Sequence, residues 1–427
     1  MKILTRCMEK MKTVCAAMLD PRRGKNIRFT MQDIGMSAFG IFFMQEPSFL
    51  ARQRALSKGK GFSNAHTLFK VKKLPSDNHI RQVLDKVSPT HFYEMFRYLL
   101  ETIDNSGGLA GMRRLDDRLL IALDGTEYFN SYQIGCDNCS KRKRSNGKVE
   151  NHHQVLAATV VAPGQSKVIP LEPEFILPQD GHDKQDCETE AAKRWMKRVA
   201  PNYADHNPVY LGDDLFARQP MVEAIQKAGG SFILTCKPSS HETLYEFLYK
   251  PCTYTQTRGV KNQKRTYIYR WARDLPLRGG DDALLVNWLS LEIRKPNGDV
   301  TYRGAWVTDL DVNASNIEEL VLCARTRWKI ENENFNVLKN GQGSRIEHNF
   351  GHGKKNLSSL LLTMNLIAFS MHNAYDLIEP LWKKARQLAG PRYQFFQDLH
   401  FPTKAWVFSS WEELMLLLIR ANSPRAP

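Results

Sequence analysis

The sequence predicts an α/β fold: a mixed sheet flanked by helices, with an antiparallel β insertion, an N-terminal helical domain and C-terminal helices. Three observations carry this. Leu119-Leu-Ile-Ala-Leu123 is a continuous apolar run closed by Asp124-Gly125, the pattern of a strand buried on both faces. From 116 to 240, strand-like and helix-like stretches alternate. Between 241 and 310 the runs alternate residue by residue and are separated by Gly, Pro and Asp, which marks antiparallel strands.

Residues 1–115 read as helical. Met31 to Phe43 mixes apolar and small residues, and a basic tract (Arg52, Arg54, Lys58, Lys60) follows. Ser76 or Asp77 caps a helix through Ile80 and Val83, and Phe92, Met95, Phe96, Leu99 and Leu100 recur at helical spacing. After the Asp124 strand, Gln154 to Val161 and Lys167 to Leu171 read as strands joined through Pro163-Gly164. Glu188 to Val199 is an amphipathic helix, and Pro208-Val-Tyr-Leu-Gly212 is a strand ending in Asp213-Asp214. Pro220 suits the first turn of the next helix, Gly229-Gly230 stops it, and Ser231 to Cys236 is another strand. The α/β core is therefore drawn as 116–240 plus 311–375, with 241–310 inserted and 376–427 as a C-terminal helical region.

Sixty Lys+Arg against 45 Asp+Glu leave a formal charge of +15, which points to a polyanionic partner, nucleic acid ahead of an acidic membrane. The eight cysteines are scattered over 427 residues, as in a reduced cytosolic protein. No signal-peptide pattern opens the chain, and the apolar run Leu360 to Met371 is too short to span a bilayer. The expected location is cytoplasmic and nucleoid-associated, with no membrane partner.

The stretch Arg325-Thr-Arg-Trp-Lys-Ile-Glu331 holds the most informative carboxylate. At about 100° per residue, Leu320, Val321, Ala324, Trp328, Phe335 and Leu338 fall within roughly 80° of Glu331, whereas Glu333 points to the opposite side. A carboxylate on a buried face must be paired, protonated or metal-bound. Two readings stand: an ion pair with Arg327, its i−4 neighbour, or a metal ligand facing the sheet. Asp124 and Asp213 (with Asp214 as the alternative) are placed at strand ends, where α/β sheets bind ligands. Three carboxylates at one place call for hard divalent cations, two Mg²⁺ or Mn²⁺, and such a pair supports in-line phosphoryl transfer.

Ala122-Leu-Asp-Gly-Thr126, Tyr210-Leu-Gly-Asp-Asp214, Trp306-Val-Thr-Asp309 and Arg327-Trp-Lys-Ile-Glu331 together resemble the motifs of DDE transposases of bacterial insertion sequences. The likeness runs over about 115 to 375, in the branch with a β insertion before the glutamate helix. It implies an RNase H-like catalytic domain with Asp124, Asp213 and Glu331 as catalytic metal ligands. It also implies hydrolysis and strand transfer at insertion-sequence ends, on double-stranded DNA (terminal inverted repeats and target), by a homodimer or higher oligomer. The N-terminal helices are by analogy the end-binding domain. Branch members usually carry Tyr and Lys where this chain has Ala324 and Leu338, with Lys339 one later. The alternatives are an inactive, domesticated DNA-binding copy and a structure-selective nuclease. Glu331→Gln is expected to abolish cleavage, and Glu333→Gln to do little.

Further DNA contacts are expected from Arg327 and Lys339, from Arg142-Lys143-Arg144, and from the Gly/basic loop carrying His352, Lys354 and Lys355, whose backbone N–H groups suit a phosphate. Cys136-x-x-Cys139 ahead of His152-His153 admits a zinc site. Neighbouring histidines on a strand face opposite ways, so one of the two at most joins, with His182 or Cys187 as fourth ligand. The competing reading is a solvated basic hairpin. Trp271, Trp288 and Trp306 in the insertion are expected to be core filler rather than base-stacking platforms.

Overall fold

Strand β1 (Leu120–Ser131) sits between two neighbours of opposite sense, and the site follows from that. The computed structural model describes residues 1–23, 27–49, 62–178, 187–260, 263–340 and 351–423. The basic tract at 52–60 and His182 lie outside these described residues. The other strands are β2 (Ser140–Lys143), β3 (Val149–Val161), β4 (Ile169–Pro170), β5 (Glu174–Ile176), β6 (Val209–Gly212), β7 (Ser231–Thr235), β8 (Cys252–Val260), β9 (Gln263–Pro276), β10 (Leu285–Arg294) and β11 (Val300–Thr308). They form one 11-stranded mixed sheet in the order β2-β3-β1-β6-β7-β11-β10-β9-β8, with β4 and β5 paired to β3.

The sheet corrects one expectation. Strand β1 does not end at Asp124. It runs on to Ser131 because β3 pairs with it antiparallel over that whole length, apart from a bulge between Glu127 and Phe129. The parallel neighbour β6 stops at Gly212, so Asp124 lies where one side of β1 loses its partner. The antiparallel strands of the 241–310 segment continue the same sheet. Strand β11 pairs with β7 through Trp306↔Thr235 and Thr308↔Ile233, which extends the central sheet and covers what would have been an open edge. Trp271, Trp288 and Trp306 are buried, as core filler should be.

The helices are α1 (Lys2–Ala16), α2 (Met31–Phe43), α3 (Phe62–Thr67), α4 (Asp77–Leu84), α5 (Glu94–Asn105), α6 (Glu188–Arg198), α7 (Gln219–Lys227), α8 (Glu242–Glu246), α9 (Ile317–Arg325), α10 (Asn336–Asn340), α11 (Leu357–Ile378), α12 (Pro380–Ala389), α13 (Arg392–Ala405) and α14 (Trp411–Asn422). Local chemistry explains their starts. Ser76 accepts the His79 N–H as N-cap of α4, Thr30 and Asp33 make a capping box for α2, and Pro220 occupies the first turn of α7.

Helix α11 is buried from Leu357 to Asp376. It carries Asn373, whose side-chain N–H donates to the Val168 carbonyl (2.8 Å) and so ties the helix to the sheet. On its other side the N- and C-terminal helices merge into one layer. Phe43 of α2 touches His372, Trp382 and Trp411, and the Leu4 N–H donates to Glu379 Oε1 (2.8 Å). Among the described residues, no helix is long and apolar enough to cross a membrane.

Candidate functional site

Strands β1 and β6 run parallel with Leu120 opposite Val209 and Ala122 opposite Leu211. Extending that register by two residues puts Asp124 level with Asp213. Arg327 enters from beyond the end of α9, with Nη1 3.5 Å from Asp124 Oδ2 and Nη2 3.0 Å from Glu331 Oε1. The expected i,i+4 ion pair is therefore present, and the same guanidinium also reaches Asp124. A fourth carboxylate joins them: the Gly125 N–H donates to Glu188 Oε1 (2.7 Å). Burial, opposed by Arg327 and reinforced by Glu188, Glu331 and Asp213, pushes the Asp124 carboxyl up to about 7. Burial and the nearby Asp213 likewise raise the Glu188 carboxyl.

Glu188 is absent from the sequence-based set. A glutamate in the first turn of an amphipathic helix is ordinary dipole chemistry, so its type carries no signal. The trace lies in Gly125: a Cβ there would come 2.4 Å from the Glu188 carboxyl carbon. We expect Gly125→Ala to push the Glu188 carboxylate aside and weaken its hydrogen bond with the residue-125 N–H, at a cost of about 1 kcal/mol, read as a lowered midpoint in urea unfolding.

Glu331 reaches the site by a different route from the one helical periodicity describes. Residues Ile330–Phe335 form a π-helical turn, in which the Asn336 N–H donates to the Glu331 carbonyl. Such turns are frequent at functional sites. The chain also leaves helical geometry at Thr326-Arg327, so the 100° spacing fails on both sides of Trp328. Leu320, Val321, Ala324, Phe335 and Leu338 are buried as expected, but Trp328 is 54% exposed and lies against Arg327. The Glu331 side chain is 32% exposed at the rim of the site. Asn334 takes the fully buried place, donating to Thr159 Oγ1 (2.9 Å).

Hydrogen bonding separates Asp213 from Asp214. Asp214 accepts from the Lys237 N–H (2.7 Å) and Ser240 Oγ–H (2.6 Å), which commits it to the turn after β7. Asp213 is the one that acts electrostatically on Asp124 and Glu188. We expect Asp213→Asn to remove any stabilisation of the chain by added Mg²⁺, and Asp214→Asn to keep it, in matched thermal melts.

The donors here are all carboxylate oxygens with one guanidinium among them, a set that suits Mg²⁺ or Mn²⁺ in chemistry. Among the described residues the acidic oxygens do not close into the spacing of a metal shell; Arg327 stands between Asp124 and Glu331. Ion binding at this place would require that contact to open.

One group does have metal-shell spacing among the described residues: Cys136, Cys139, His153 and His352, whose ligand atoms all lie within 4.8 Å of one another. These four could hold a metal ion. His153 joins and His152 does not, in line with strand alternation. The fourth member is His352 rather than Cys187, which is exposed at the start of α6. His352 is thus buried against Cys139 and Phe129, not presented to solvent as a DNA-contact residue.

The remaining basic candidates are placed as follows. Arg142 pairs with Glu127 (2.8 Å) and Glu150 (2.6 Å), and Arg144 with Glu150 (2.6 Å), whereas Lys143 is exposed. Lys339 is half-buried on α10. The side chains of Lys354 and Lys355 are exposed, but the backbone N–H groups expected to hold a phosphate are already taken by a carboxylate. Asp85 accepts from Lys354 N–H (3.1 Å), Lys355 N–H (3.0 Å) and Leu357 N–H (3.0 Å) at the start of α11.

The fold and site define a mixed α/β protein with a carboxylate cluster where β6 ends alongside β1, and with a Cys/His group of metal-shell spacing. A scan against protein-family models matched none of them, and a search of curated proteins returned no match.

Proposed function

We propose that this chain is a DDE-type DNA transposase that hydrolyses the phosphodiester at the ends of its element and joins the freed end to target DNA. The observation that carries the reading is that Asp213 and Glu331, remote in sequence, come within electrostatic reach of Asp124, with Arg327 between Asp124 and Glu331. Burial, with Glu188, Glu331 and Asp213 adding to it, pushes the Asp124 carboxyl up to about 7, and a bound cation would favour its ionised form.

In this reading Asp124, Asp213 and Glu331 would hold two Mg²⁺ or Mn²⁺ ions, which would supply activation of the attacking oxygen and neutralisation of charge on the leaving oxygen. Glu188 fixes the backbone beside Asp124 by accepting the Gly125 N–H, and so positions that carboxylate. Arg327 bridges Asp124 and Glu331. In the first step a water oxygen bonds to phosphorus and the 3′-oxygen leaves with a proton. In the second, that 3′-hydroxyl attacks a target phosphodiester and expels the target's own 3′-oxygen. Neither step needs a covalent protein intermediate. The excess of Lys and Arg, +15 overall, fits a DNA partner.

The test is incubation of the chain with DNA carrying the ends of its own element, with and without Mg²⁺. Cleavage with joining supports the proposal. Cleavage without joining points to a nuclease, and a gel shift without cleavage to a DNA-binding copy that no longer cuts.

A further inference from the structure

We propose that Cys136, Cys139, His153 and His352 bind one zinc ion in a closed structural site that fastens the segment entering α11 to the paired strands β1 and β3. The spacing is the first reason. With Zn–S near 2.3 Å and Zn–N of 2.0–2.1 Å, a tetrahedral shell has an S···S edge of about 3.8 Å and S···N edges of about 3.5 Å. Here Cys136 Sγ and Cys139 Sγ are 3.8 Å apart. His153 Nε2 lies 3.5 Å from Cys136 Sγ and 3.4 Å from Cys139 Sγ, and His352 Nε2 lies 3.4 Å from Cys139 Sγ. The two sulfurs are far beyond disulfide length, about 2.05 Å.

Burial is the second reason. Cys139, His153 and His352 are buried and Cys136 is half-buried. Two thiols and two imidazoles drawn together away from water need a partner to offset their desolvation. The rings are already aimed. His352 stacks on Phe129 (centroids 4.1 Å, 27°) and His153 on Tyr128 (5.5 Å, 16°). Both Nδ1 atoms lack a hydrogen-bond partner, so the Nε2 atoms are the ones the group shares.

The third reason is how His352 gets there. It stands 213 residues from Cys139 and is flanked by Gly351 (φ +112°) and Gly353 (φ +72°), which let the backbone turn it inward. Asn138 makes a parallel tie, its side-chain N–H donating to the Lys355 carbonyl (2.7 Å). Four protein ligands leave no open coordination position, so the ion is structural and not catalytic.

This inference does not rest on the transposase reading, and its test needs no DNA. Full-length chain purified under reducing conditions, without chelator, is analysed for metals by mass spectrometry. One zinc per chain is expected. Cys139→Ser and His352→Ala should each lose it, and Cys187→Ser should keep it. If those two variants fail to fold, the wild-type chain decides: cobalt(II) exchanged for zinc should show the intense visible bands of a tetrahedral site and thiolate charge transfer. Zinc-free chain without those bands on cobalt addition overturns the proposal, as does full zinc content in both folded ligand variants.

Discussion

Glu331→Gln is expected to lower strand cleavage by about a thousandfold or more while leaving DNA binding within about twofold. The amide keeps the shape and the reach of the side chain but donates where the carboxylate would hold a cation. The Arg327 contact, now 3.0 Å from Glu331 Oε1, loses its charge assistance yet is not left buried and unpaired, because the same guanidinium faces Asp124. The fold should therefore survive. Denaturing gels of end-labelled DNA read the cleavage, and a mobility shift on the same DNA reads the binding. Glu333→Gln provides the control, with cleavage unchanged; a reversal of the two effects would mean that the wrong glutamate had been assigned to the site.

Asp124→Asn should stabilise the chain in divalent-free buffer at pH 8, by about 2–4 kcal/mol as an upper range. The folded-state carboxyl is raised from 3.8 to about 7, mainly by burial. Below pH ~4 the aspartic acid is neutral in folded and unfolded chain alike, so wild type and variant should match there. As pH rises through about 4 to 7, the unfolded carboxyl ionises freely and the folded one does not, so wild type loses stability that the asparagine keeps. Added Mg²⁺ should close the gap by binding wild type and not the variant. Urea unfolding at pH 4 and pH 8, with and without Mg²⁺, checks all three statements. A variant less stable than wild type at pH 8 would show that Arg327 already satisfies Asp124.

What the sequence disclosed follows from how local each signal is. The run Leu119 to Leu123 is apolar at every position, so a doubly covered strand and the carboxylate after it were legible together. Ser76 and Pro220 announced helix starts because capping is decided within a few residues. Where β1 ends was not legible, since that depends on β3 pairing past the point where β6 stops. The bounds of β8 are not legible for a similar reason: its Thr-rich stretch, Cys252–Val260, has little apolar alternation, and β9 supplies its order.

Glu331 was found from a helical wheel that the real backbone does not follow. The stripe identified the right segment because five of its six apolar members are buried. It misplaced Trp328 because a π-helical turn and a break at Thr326-Arg327 change the angular step. Glu188 and His352 were the hardest. The first looks like any helix-opening glutamate, and the second meets Cys139 across 213 residues, a contact that no periodicity encodes.

The most direct measurement is Mn²⁺ uptake by the zinc-loaded chain in complex with element-end DNA, followed by the fall of the free-ion electron paramagnetic resonance signal. About two Mn²⁺ per chain are predicted for wild type, with uptake lost in Asp124→Asn and Asp213→Asn. Equal uptake by wild type and both variants, or none by a wild-type complex that binds DNA, would contradict the account.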